Sequence, residues 1–263
     1  MSLPVLAQVP AILLPLVNRA QQSFRDAVAA LDDEHGLGAW TEQRWDDFAR
    51  VGAASDFVIE QSLRDPLMLL QLVQSGELDR GFAPGELCAQ IAAAVQQAET
   101  EDELGRVLRR QRTRHQVRII WRDLTRQADL VQTCRDLSDM ADASIDQAYQ
   151  WLYLRHCQQF GTPTGRRSGE PQQMVILGMG KLGAVELNLS SDIDLIFAYP
   201  DAWPRVRPPN AWPASWAKRS AKPSAIASAS TARSGPLRVS KWSPKASSPA
   251  ACRTTRRWKA WAC

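Results

Sequence analysis

The sequence predicts a mainly α protein: a helical bundle that leads into a small α/β unit of two strands, followed by a tail with no packed core. Three observations predict this. From residue 16 to 160, apolar side chains recur at the three- and four-residue spacing of buried helix faces. Between Met174 and Tyr199, two short β-prone apolar runs flank a glycine-rich turn. After Pro200 no period is sustained. The expected divisions are 1–165, 166–200 and 201–263.

The helices are placed by their start signals. Leu16–Leu31 carries apolar residues at helical spacing. Thr41-Glu42 opens a second helix through Trp45, Phe48 and Val51, and Ser55-Asp56 caps a third. Asp65-Pro66 starts L-M-L-L-Q-L-V, since proline suits a first helical turn. Gly76 and Gly81 mark breaks before a helix over Pro84–Ala98. Thr100-x-x-Glu103 is a capping box for a long helix to about Arg126. The next helix, about Asp129–Gln159, is expected to bury Leu130, Cys134, Leu137, Ala141, Ile145, Ala148 and Leu152.

Arginine recurs at positions 106, 110, 114, 118, 122 and 126. Each four-residue step drifts by about 40°, so the row winds along one side of its helix. It could grip phosphates or an acidic partner. The reading favoured here is a solvated face paired with Asp129, Asp136, Asp139, Asp142 and Asp146 of the following helix.

The stretch M-V-I-L-G-M-G-K-L-G-A-V-E-L-N-L-S-S-D-I-D-L-I-F-A-Y carries the chemistry. Met174–Leu177 is the first expected strand, and Lys181–Leu187 is long enough for about two helical turns. In the second strand Asp192 and Asp194 alternate with Ile193 and Leu195, which turns both carboxylates to one face. Two such carboxylates repel unless a cation lies between them, and hard oxygen donors suit Mg²⁺. Gly178, Gly180 and Gly183 around Lys181 let backbone N–H groups approach a phosphate, helped by the start of a helix. This order of parts points to metal-assisted phosphoryl or nucleotidyl transfer.

At G-M-G-K-L-G-A-V-E-L-N-L-S-S-D-I-D-L-I-F-A-Y-P the sequence closely resembles the active-site signature of the glutamine synthetase adenylyltransferase/adenylyl-removing enzymes, a polymerase-β-like nucleotidyltransferase family. The form E-L-N-x-S-S-D-I-D-L-I-F-A-Y-P is similar to the first of that family's two tandem catalytic domains, the adenylyl-removing half. The family more often has glycine and then arginine at Ala184-Val185. The resemblance implies a partial α/β nucleotidyltransferase domain that removes AMP from a glutamine synthetase tyrosine by phosphorolysis, giving ADP. It implies that Asp192 and Asp194 hold Mg²⁺ and are catalytic. Gly178, Gly180, Lys181 and Gly183 would cradle the phosphates of ATP or ADP or an orthophosphate, with Ser191 bonding a phosphate oxygen. The implied partners are glutamine synthetase and the PII signalling protein. A nucleotidyltransferase with another substrate, or a non-catalytic module docking the same partners, remain the alternatives.

Composition sets the remaining bounds. The net charge of +4 hides a balance of −8 over residues 1–200 and +12 over 201–263. A basic pI therefore says nothing about nucleic acid for the first 200 residues, and no nucleic-acid partner is expected. No run approaches the roughly eighteen apolar residues of a membrane span. His35, His115 and His156 are scattered, and the five cysteines lack ligand spacing, as expected for reduced thiols in cytoplasm. Of the last 63 residues, 32 are Ala, Ser or Pro and one is acidic, and a shifted reading frame permits an amphipathic helix there. A truncated, out-of-frame end is the expectation. The family's third carboxylate lies in an R-V-D-x-R-L-R-P-like segment, whereas Arg205-Val206-Arg207-Pro208 has no acid. Low activity is the corollary.

Overall fold

The computed structural model describes residues 9–31, 38 and 40–201. The tail after Asp201 and His35 lie outside them. A 3-10 turn, Ala11–Leu13, leads into α1 (Leu14–Ala29), followed by α2 (Glu42–Ala54), α3 (Asp56–Arg64), α4 (Pro66–Gln74), α5 (Glu86–Val95), α6 (Glu101–Leu124) and α7 (Leu130–Phe160). The starts follow local chemistry. Thr41, Ser55, Asp65, Thr100 and Asp129 each accept a hydrogen bond from the amide three residues on, relieving the unpaired N–H groups of a first turn. α6 stops at Leu124 rather than near Arg126, because Arg126 takes a left-handed φ of 61°. The Arg122 carbonyl then accepts from Gln127 N at 2.8 Å and Ala128 N at 3.2 Å.

Two apolar cores stabilise the bundle. One gathers Phe24, Phe48, Val58, Leu69, Leu70, Leu72, Val117 and Trp121 from α1–α4 and α6. The other joins α5, α6 and α7 through Ile91, Val95, Leu104, Ile119, Leu137 and Met140. α6 thus has an apolar contact on two sides, which leaves it no solvated stripe along its second half.

The arginine row is accordingly solvated only in part: Arg106, Arg110 and Arg126 are exposed, whereas Arg114, Arg118 and Arg122 turn into the bundle. Arg118 is wholly buried and Arg122 nearly so. Arg118 pairs with Glu77 at 3.2 Å and Glu86 at 3.6 Å, and Arg114 pairs with Glu77 at 2.7 Å. Arg122 faces Asp136 at 3.8 Å, and among the described residues this is the one ion pair between the row and the acids expected on α7. Arg106 pairs with Glu103 inside α6 at 3.6 Å, and the acids facing Arg114 and Arg118 come from the α4–α5 connection and the start of α5, which sequence spacing cannot bring to α6. Arg80 bonds the Glu86 carboxylate and holds it down to about 2. His115, buried beside this network, is lowered to about 3 by burial and then by Arg114 and Arg118. On α7, burial, followed by the charges of Asp139 and Asp146, pushes Asp142 up to about 6.

α7 buries Leu137 and Ala141 as expected, but Leu130 is 73% exposed. A period shows which side of a helix is apolar and not where its cover ends. Cys134 and Cys157 are free thiols, as expected, and Cys252 and Cys263 lie outside the described residues. Among the described residues no helix is long and apolar enough to cross a membrane.

Beyond α7, β1 (Val175–Gly178) pairs antiparallel with β2 (Leu195–Ala198), with the one-turn α8 (Gly180–Gly183) between them. Leu182 and Leu187 plug this unit into the α5–α7 core. Hydrogen bonds tie it to α7: Leu187 N donates to Ser138 Oγ at 3.1 Å, Met174 N to Tyr149 Oη at 2.7 Å, and Tyr153 Oη to the Gln172 carbonyl at 3.4 Å.

Candidate active site

The ladder ends at Gly178 opposite Leu195, and Met179 N continues it by donating to the Asp194 carbonyl at 2.9 Å. This bond sets the glycine turn against the D-I-D segment. Met179, Gly180, Lys181, Asn188, Ser190, Ser191, Asp192 and Asp194 line one open cavity of about 370 Å³. Asp192 and Asp194 were expected within the second strand, yet β2 begins only at Leu195. The partner strand has by then turned away into α8, so no ladder extends beyond the Met179 bond. Both carboxylates nonetheless border the same space.

The glycines divide by role. A Cβ on Gly183 would lie 2.5 Å from the Gly178 carbonyl oxygen, and one on Gly178 would meet Leu182 at 2.9 Å. These two let α8 pack hard against β1, and neither lines the cavity. Gly180 does line it, with a φ of 55° and open space where a side chain would stand. The expected two-turn helix is a single turn because Val185 adopts a φ of 60°, a conformation costly for a β-branched residue. Its amide and that of Glu186 close α8 by donating to the Leu182 and Lys181 carbonyls at 3.0 and 2.8 Å.

Lys181 is exposed at the rim. Ser191 donates its hydroxyl to the Asn188 side chain, and its amide to the Asn188 carbonyl at 3.2 Å, so the turn before Asp192 is closed on itself. Sequence reasoning missed Asn188 and Ser190 in the lining; their place inside E-L-N-L-S-S was the only available signal. Among the described residues neither carboxylate of the D-I-D pair has a side-chain hydrogen bond or ion pair, and no group of three or more His, Cys, Asp or Glu could hold a metal. The donor set is two unneutralised carboxylates with amide and hydroxyl oxygens beside them. These are all oxygen donors, which fits Mg²⁺ and excludes a thiolate or imidazole site.

A larger cavity of about 510 Å³ lies far along the chain at Thr41, Arg44, Asp47, Asp79 and Gln127. There Arg44 bonds Asp79 and approaches Asp47 at 3.6 Å. Its charges are matched internally, so the smaller cavity is the chemical candidate.

A family model described as glutamate-ammonia ligase adenylyltransferase matches residues 45–219. The chain is similar to the bifunctional glutamine synthetase adenylyltransferase/adenylyl-removing enzyme of Pseudomonas syringae pv. tomato, with 72% identity over 203 residues, covering 76% of this chain and 21% of the relative. The enzyme so named from Pseudomonas putida is 63% identical over 201 residues (76% and 20%). That from Thioalkalivibrio sulfidiphilus is 43% identical over 196 residues (74% and 20%). The chain spans about a fifth of the length of these relatives.

Proposed function

Because the chain belongs to the glutamate-ammonia ligase adenylyltransferase family, we propose that its cavity is a nucleotidyl-transfer site of the adenylyl-removing kind. In this reading orthophosphate attacks the phosphorus of an adenylylated tyrosine on glutamine synthetase. The P–O bond to the tyrosine breaks, the phenol takes up a proton, and ADP leaves. Asp192 and Asp194 hold Mg²⁺, which when bound offsets negative charge on the phosphates. Lys181 draws in the anionic groups, and the absent side chain at Gly180 lets a phosphate approach the backbone. PII is the proposed regulatory partner, and the cytoplasm the proposed setting.

The supporting observation is the convergence of Gly180, Lys181, Asp192 and Asp194 on one cavity. Binding is the test to use, because it reads the metal and the nucleotide at this cavity without requiring turnover. Calorimetric titration of the purified chain with ADP is expected to show binding only with Mg²⁺ present, abolished by Asp192→Asn with Asp194→Asn. Binding that ignores the metal, or survives the double substitution, overturns the proposal.

A further inference from the structure

We infer that Ser138 of α7 is a positioning residue for the carboxylate loop, an inference that rests on the metal-site reading above. Ser138 is fully buried. Its hydroxyl donates to the Cys134 carbonyl at 2.8 Å, which orients a lone pair outward to accept the Leu187 amide at 3.1 Å. The Leu187 side chain is buried in the α5–α7 core, so both its backbone and its side chain are anchored on the bundle. The very next residue, Asn188, starts the closed turn with Ser191, and Asp192 follows directly. Helix α7 is a single 31-residue element, so it offers a stiff reference for that turn. The anchor thus stands five positions ahead of the first carboxylate. Removing the hydroxyl leaves the Leu187 amide buried without its acceptor and frees the turn to drift.

Tyr149 provides an internal control. Standing on α7 like Ser138, it too accepts a backbone amide with its hydroxyl, but that of Met174, ahead of β1 and at the end of the hairpin where Val175 faces Ala198. The cavity lies at the opposite end, where Gly178 faces Leu195. A loss of general adhesion to α7 would affect both variants alike, whereas a positioning role singles out Ser138.

The test titrates the 263-residue chain with Mn²⁺, followed by electron paramagnetic resonance, alongside thermal unfolding. Ser138→Ala is expected to lower Mn²⁺ affinity by about tenfold, the usual effect of losing a group that orients metal ligands. Tyr149→Phe is expected to bind as wild type. Ser138→Thr and Ser138→Val share a shape and differ in the hydroxyl, so the threonine form must bind more tightly even if both are less stable. Equal affinity within that pair, equal losses in Ser138→Ala and Tyr149→Phe, or wild-type affinity in Ser138→Ala each overturn the inference while leaving the metal site standing. A wild-type chain that binds no Mn²⁺ overturns the site reading and this one together.

Discussion

The bundle and the strand unit treat charge in opposite ways. In the bundle, Arg114 and Arg118 go inside and are met by Glu77 and Glu86. In the strand unit, Asp192 and Asp194 stay at a cavity without side-chain partners among the described residues. Apolar groups differ less: Phe24, Phe48 and Trp121 are sealed in the bundle, but Leu130 at the start of α7 is exposed, as Ile196 and Phe197 on β2 are. Matched charge and sealed apolar surface stabilise a fold. Unmatched charge on an open cavity does not, and in the function proposed above its role is to hold a cation.

The largest effect that would break this contrast is at Glu77. Replacing it by Gln removes the acid facing two arginines, one of them fully buried, and is expected to cost about 3–5 kcal/mol in denaturant unfolding. A loss near zero would mean that the bundle tolerates unmatched charge as the strand unit does. Next, Gly183→Ala forces a methyl against the Gly178 carbonyl and is expected to cost about 1–3 kcal/mol. That loss should be confined to the strand unit, seen as faster hydrogen exchange in β1 and β2 with helical circular dichroism retained. Smallest is Val185→Gly, which relieves a left-handed β-branched residue at some cost in chain entropy and should stabilise α8 by about 0.5–1 kcal/mol. Slower exchange of the Glu186 amide would register it; unchanged exchange would show that the turn is not strained.

Much of the bundle was legible in the sequence. Thr41, Ser55, Asp65, Thr100 and Asp129 are short-range signals, each bonding an amide three residues on, and all five starts follow them. The glycine-rich and D-I-D segments were equally legible as a pair, since a hairpin brings neighbours in sequence together. The partners of Arg114 and Arg118 were not, because Glu77 is some forty residues away and only packing sets it beside α6. Nor could spacing separate Gly180, which opens the cavity, from Gly178 and Gly183, which close a packing contact.

What the chain alone determined was local: helix starts, the pairing of two short strands, and the kinds of oxygen and amine that meet between them. Such features depend on residues within a few positions of one another, where the covalent chain limits the choices. The tertiary structure alone decided which arginines lose their water, which glycines carry a close contact, and that a serine on α7 accepts the amide beside the carboxylate turn. Those outcomes depend on burial and on contacts between distant segments, and both exist only once the cores have closed.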